Sequence, residues 1–325
     1  MVKRLSNFFK TTLHPEMYHG TVMTPPFFEG WYFKVVDSTG SQRFAFIPGV
    51  FMSKTPEDSH AFVQVLEGAS SRVEYHRNAI EQFWSAEDHF ELRIGENHFS
   101  MDRIQLNIQN STQTVLGILK FVSPIQWPVW LTSPGVMGWY TWVPRMECYH
   151  GVLGFNHAVH GYITVDEQTH DLNGGRGYIE KDWGKAFPQA RVWMQSNHFQ
   201  QSHTCLTASV AIIPWMGSAF AGVIVSFWQD GKLHRFATYA NSKILGLEVD
   251  DQHVRWQMRK RSPRLEIVAI QAEGGLLLAP TPEGMGRRIA ETLSATIHVR
   301  LVHLKFGIVE FDGKGDYAGL EAVVD

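Results

Sequence analysis

Apolar and polar residues alternate with a period of two along much of the chain. Ile104, Leu106 and Ile108 are interleaved with Arg103, Gln105, Asn107 and Gln109, the spacing that sends apolar side chains to one face of a strand and polar ones to the other. The same period recurs at Phe90/Leu92/Ile94, at Val254/Trp256/Met258 and at Leu293/Ala295/Ile297/Val299/Leu301, so each segment is predicted as a half-buried strand. Between such runs lie hairpin-grade breaks: Asp37-Ser38-Thr39-Gly40, Ile94-Gly95-Glu96-Asn97, Gln229-Asp230-Gly231-Lys232 and Phe311-Asp312-Gly313-Lys314. Two continuous apolar runs, 206–213 and 220–228, flank Pro214 and the turn Trp215-Met216-Gly217-Ser218 and read as a hairpin of buried strands. Helical periodicity is scarce. A short helix is expected at 283–293, weakened by Gly284 and Gly286.

The pattern predicts an all-β chain of mostly antiparallel strands. So many strands suit two sandwiches or two closed barrels, which also hide their edges. A glycine-rich break at Asp171-Leu172-Asn173-Gly174-Gly175-Arg176-Gly177 divides the chain into strand-rich halves at residues 13–173 and 174–325, preceded by a short tail at 1–12.

Composition narrows the function classes. The 325 residues include 29 Lys and Arg against 32 Asp and Glu, a net charge of −3, which argues against nucleic acid as a partner because counterion release needs a strongly basic face. Cys148 and Cys205 are the only cysteines, too few for a disulfide framework or a multi-cysteine zinc site. A cytoplasmic location is therefore expected, and residues 1–14 lack the apolar run of a secretory signal. The uncharged stretches 121–144 and 205–228 are long enough to cross a bilayer. Pro124, Pro128, Pro134 and Pro144 break the first, and the hairpin turn splits the second.

Familiar motifs are mostly missing. There is no nucleophile elbow, phosphate loop or metalloprotease helix, and Gly284-Met285-Gly286-Arg287-Arg288 lacks the βαβ context of a dinucleotide turn. His157 and His160 stand three apart on a strand and so face opposite sides; with His150 they do not suggest a shared ion. No metal and no cofactor is predicted. The cluster Arg255, Arg259, Lys260, Arg261 and Arg264 reads as a solvated strand face, with contact to anionic lipid headgroups the weaker alternative.

The segment richest in chemistry is Gly174 to Gly184. On a strand Glu180 and Asp182 share one face, with β-carbons roughly 7 Å apart, while Lys181 points the other way. Two carboxyl groups so close, if desolvated, oppose each other's ionisation, so one can keep its proton at neutral pH and serve as a general acid. The alternative is an exposed acidic pair at a strand end. Eleven tryptophans and dense aromatic clusters at 27–33, 127–142 and 183–193 are mostly expected in the core, yet ring faces also stabilise cations. A ring-lined apolar cavity holding a protonated carboxyl would suit carbocation chemistry on an isoprenoid.

Three separated motifs carry a resemblance. They are Phe28-Glu29-Gly30-Trp31-Tyr32-Phe33-Lys34, the run Pro144-Arg145-Met146-Glu147-Cys148-Tyr149-His150-Gly151, and Tyr178-Ile179-Glu180-Lys181-Asp182-Trp183-Gly184 with Trp193, Gln195 and Asn197 beyond it. In that order, from about Leu13 onward, the chain resembles the tocopherol cyclase family, which is related to carotenoid hydratases and decalin-forming cyclases. The resemblance implies two lipocalin-like antiparallel β-barrels in tandem with a ligand near their junction. It also implies a reaction in which a prenyl double bond of a hydroquinone is protonated and the ring hydroxyl captures the cation, closing a chromanol without cofactor or metal.

Carried over by position, Glu180 stands where the wider group has the first carboxylate of an Asp-x-Asn-Trp-Gly pattern and becomes the catalytic acid. Asp182 replaces the Asn of the plant Glu-Lys-Asn-Trp-Gly form, so it either tunes Glu180 or bonds to backbone. Glu29, Trp31, Tyr32, Glu147, His150, Tyr178, Trp183, Gln195 and Asn197 match motif positions and are candidates for lining the site or orienting the hydroquinone. The implied partner is a hydrophobic small molecule, a prenylated quinol or related isoprenoid, with peripheral membrane contact left open. A lipid-binding protein of lipocalin type without catalysis, and a hydratase of an isoprenoid double bond, remain alternatives.

Overall fold

The structure, a computed structural model, describes residues 2–215 and 217–323. It is built almost wholly from antiparallel strands, which form two sheets of lipocalin-like type, the first a nearly closed barrel. The predicted alternating segments are strands: Glu91–Ile94, Arg103–Gln109, His253–Arg259 and Met285–His303. Thr204–Trp215 pairs with Ser218–Gln229 as the expected hairpin, although its turn residue Met216 lies outside the described residues.

The first sheet has twelve strands. One flank runs in successive pairs from Phe27–Val36 to Arg72–Ala79, the other from Phe83–Ser85 to Cys148–Val165, and Gly175–Gly184 lies between Phe27–Val36 and Cys148–Val165, joining the flanks. One core cluster contains Val63 and Val65 from the first flank and Leu92 and Ile94 from the second, so the sheet curls around a shared interior. Trp31, Phe33, Phe46 and Phe99 fill that interior, as side chains do in small barrels. The second sheet has eleven strands around its own core, with Met194, Phe227, Trp256 and Leu301 at its centre.

Two compact units result, Met1–Phe187 with Leu277–Arg288, and Pro188–Leu276 with Ile289–Asp325. The division expected after Asn173 therefore moves to Phe187/Pro188. The reason is pairing: the turn at 171–175 leads into Gly175–Gly184, which is hydrogen-bonded on both sides to strands of the first sheet. Two other expectations are corrected. Residues 283–293 lie mostly in the strand Met285–His303 rather than a helix, because Ile289, Glu291 and Leu293 share a buried side at period two. The presumed tail is a helix, Val2–Leu13, whose buried positions among the described side chains are Thr11 and Thr12, residues that carry no apolar signal. No helix among the described residues is long and apolar enough to cross a membrane.

Candidate functional site

Three adjacent strands position the candidate residues. Register sets Tyr32 and Val152 opposite Glu180, His150 opposite Asp182, and Lys34 opposite Tyr178. Residues directly opposite in an antiparallel pair point to the same face, so Tyr32, Lys34, His150, Tyr178, Glu180 and Asp182 share one face of the first sheet. It is the outer face, since Trp31, Phe33 and Ile179 between them point into the core. It is nevertheless shielded: Glu180 is 5% exposed, and Tyr32, Lys34, Val152 and Tyr178 are buried with it.

Around Glu180 the polar groups form a chain. The Tyr178 hydroxyl donates to Glu180 Oε2. His150 Nε2 stands 3.7 Å from the same carboxylate, and His150 Nδ1 is 2.9 Å from Asp182 Oδ1. If Nδ1 carries the proton and donates it to Asp182, Nε2 presents its lone pair toward Glu180. The two carboxyl groups predicted to share one face thus have an imidazole between them. His150 is fixed from behind as well, because its backbone N–H donates to Met137 Sδ at 3.1 Å.

His150, Glu180 and Asp182 offer ligand atoms that all lie within 4.8 Å of one another, the one such group among the described residues. A divalent cation could be held there by one imidazole and two carboxylates, at the cost of the His150–Asp182 hydrogen bond. Of the three histidines weighed from sequence, His150 belongs to this group and the other two do not join it. His157 is buried against Phe121 with ring centroids 4.4 Å apart, and burial pushes its pKa down to about 3; His160 is exposed.

The remaining motif residues divide between other places. Glu29, Trp31 and Trp183 lie on the opposite face from Glu180, with Lys181. There Lys181 and Glu29 form an ion pair with both side chains fully buried. Lys181 Nζ also donates to Met17 O at 2.6 Å and lies 3.1 Å from His19 Nδ1, while the His19 backbone N–H reaches both Glu29 oxygens. The ammonium sits 4.5 Å from the Trp31 ring and 5.0 Å from that of Trp183. Trp183 is stacked between His19, 4.2 Å away, and Tyr149, 5.3 Å away. Burial and the Lys181 charge push the His19 pKa down to about 4. The ring is therefore neutral at pH 7, with Nδ1 2.9 Å from Glu29 Oε1 and 3.1 Å from Lys181 Nζ, and Nε2 3.2 Å from Thr11 O. Burial alone would raise the Glu29 carboxyl; Lys181 and His19 reverse that and hold it below the usual carboxylate range. This half of the motif anchors the segment after the N-terminal helix to the barrel, and no part of it faces Glu180.

Glu147 precedes the strand Cys148–Val165, half-buried, with burial raising its carboxyl. Its carbonyl explains the final glycine of the motif: Gly184 has φ +153°, and a β-carbon there would stand 2.3 Å from Glu147 O. Gln195 and Asn197 belong to the second unit, both buried. Gln195 points away from the core that holds Val192 and Met194, on the side of the Arg191–Glu321 ion pair. Sequence reasoning missed three participants: His19, Met137 and the buried Lys34. Lys34 was legible from parity alone, two residues from Tyr32; His19 and Met137 come from irregular segments with no such signal.

A family model described as tocopherol cyclase-like matches residues 25–116 and 107–322. The chain is 22% identical to the chloroplastic tocopherol cyclase of Zea mays, over 94% of this chain and 76% of that protein. It is 23% identical to a chloroplastic protein of Oryza sativa subsp. japonica described as a probable tocopherol cyclase, over 82% and 67%. Among solved structures, CghA superposes with a TM-score of 0.58 at 12% identity, covering 93% of this chain and 90% of that one. The Nitrosomonas europaea protein described as AttH gives 0.53 at 15% identity, covering 91% and 93%. At these identities the structural neighbours speak to the fold.

Proposed function

We propose that this chain, which belongs to the tocopherol cyclase-like family, is an enzyme that cyclises a prenylated hydroquinone to a chromanol, with Glu180 as the general acid. One observation carries the reading: a carboxyl withdrawn from solvent on the non-core face of the sheet, with a phenol, an imidazole and a second carboxylate ranged along it. The Glu180 carboxylic acid gives its proton to the less substituted alkene carbon, leaving a tertiary cation. The quinol oxygen attacks the cationic tertiary carbon, and its proton returns to the Glu180 carboxylate, so substrate and product have the same mass.

In this scheme Tyr178 steadies the carboxylate left after transfer. Asp182 holds the His150 tautomer that keeps a lone pair toward Glu180, and His150 relays the proton of the quinol oxygen back to the Glu180 carboxylate. Positioned protonation contributes about 10² to 10⁴-fold; orientation of the folded prenyl tail and stabilisation of the cation by fixed dipoles supply the rest. A prenyl tail leaves a bilayer for an apolar site at little net gain, so hydrogen bonds to the quinol head decide which substrate reacts. Tyr32 and Lys34 are on the same face to make them.

The test is incubation of the purified chain with a prenylated hydroquinone, followed by mass spectrometry and chromatography. A chromanol of unchanged mass is expected, lost by about 10²-fold or more in Glu180→Gln while the substrate still binds. Unimpaired turnover in that variant removes Glu180 as the acid. A product about 18 mass units heavier means that water, not the ring hydroxyl, captures the cation. Lipid returned unaltered by the parent chain favours carriage over catalysis.

A further inference from the structure

The N-terminal helix is turned the wrong way for a helix that only packs on its own protein. Val2–Leu13 buries Thr11 and Thr12, whose hydroxyls bond back to Asn7 O and Phe8 O, and shows Leu5 and Phe9, four residues apart on one face, at 59% and 48% exposure. Beside it, the connection before the strand Cys148–Val165 exposes Trp130 at 63%, Leu131 at 67% and Trp139 at 50%. The two pieces are continuous through Trp142. Its ring packs against Phe8 and Phe9 at 6.1 and 5.4 Å, and its indole N–H donates to Leu131 O at 2.8 Å.

Charge distinguishes the occupant. The helix carries Lys3, Arg4 and Lys10 without a single acidic residue, and residues 121–144 carry no charge at all. A cationic amphipathic helix beside an uncharged, tryptophan-tipped loop matches the interfacial zone of a bilayer, where indole rings settle at headgroup level and basic side chains meet anionic lipid. We propose that the helix Val2–Leu13 and the loop bearing Trp130, Leu131 and Trp139 form a docking surface for an anionic membrane. The same loop carries Met137 against His150, so a docked molecule holds its bilayer contact next to the candidate site.

Vesicle co-sedimentation of the full chain tests this without any substrate, so its outcome is independent of the cyclisation reading. Vesicles of phosphatidylcholine alone are compared with vesicles containing about a third phosphatidylglycerol. At about fivefold for each basic residue near the surface, the anionic vesicles are preferred roughly a hundredfold. Substituting Trp130→Ser, Leu131→Ser and Trp139→Ser together, all solvent-exposed, lowers partitioning more than tenfold with the urea midpoint unchanged. Lys3→Gln, Arg4→Gln and Lys10→Gln together erase the preference for anionic lipid. The proposal is overturned if the parent chain stays in the supernatant with both vesicles, or if the serine variant binds as the parent does. It is also overturned if the chain dimerises without lipid and the serine substitutions abolish that dimer, since a second copy then covers the patch.

Discussion

Replacing Lys181 by methionine isolates the interaction that ties the N-terminal segment to the barrel. Lys181 and Glu29 are both fully buried, so the substitution leaves the Glu29 carboxylate without its cation and removes a donor from Met17 O, 2.6 Å away. Breaking a buried pair from one side costs about 3–5 kcal/mol, a large share of the stability of an ordinary domain. Glu29→Gln should cost about 3 kcal/mol, because the amide oxygen still accepts from the His19 backbone while Lys181 loses its counter-charge. Together the two substitutions should cost about 4 kcal/mol rather than the sum of about 7, since no uncompensated charge remains. Urea unfolding at pH 7 and low temperature measures all four members of the cycle. A double variant as unstable as the sum of the singles refutes the reasoning; the ammonium would then act through Met17 O and the Trp31 and Trp183 rings, not through Glu29.

Two further predictions follow from the same geometry. His157 takes its proton near pH 6.5 when unfolded but only near pH 3 when folded. Between those values the unfolded state holds more protons, so stability falls with falling pH by at most about 5 kcal/mol. His157→Leu should flatten that acid limb and leave neutral stability equal or higher, because neither ring nitrogen has a hydrogen-bond partner among the described residues; an unchanged acid limb in urea titrations from pH 7 to 4 would count against it. At the candidate site, a proton relay through His150 predicts turnover indifferent to a chelator and inhibited by added Zn²⁺, which would occupy the imidazole and both carboxylates. Activity lost on chelation and restored by one divalent ion would instead make His150, Glu180 and Asp182 a metal centre.

Much was already decided by parity along the chain. Period two makes the fold all-β, and it assigns Tyr178, Glu180 and Asp182 to one face and Ile179, Lys181 and Trp183 to the other wherever the strand lies. By the same count Tyr32 parts company with Glu29 and Trp31, so a motif that reads as one unit was bound to serve two faces. The helix Val2–Leu13 escaped notice because tertiary contact buries its threonines and leaves Leu5 and Phe9 outside, the reverse of the usual apolar stripe.

What alternation cannot encode is which strand lies beside which. Only the pairing of Cys148–Val165 with Gly175–Gly184 in one register carries His150 across thirty-two residues of sequence to Asp182 and Glu180. Only the return of the irregular segment after the N-terminal helix brings His19 and Met17 onto Lys181. Local sequence determines the direction of each side chain through backbone geometry. Register, chosen by the burial of the whole sheet around its core, decides what that side chain meets.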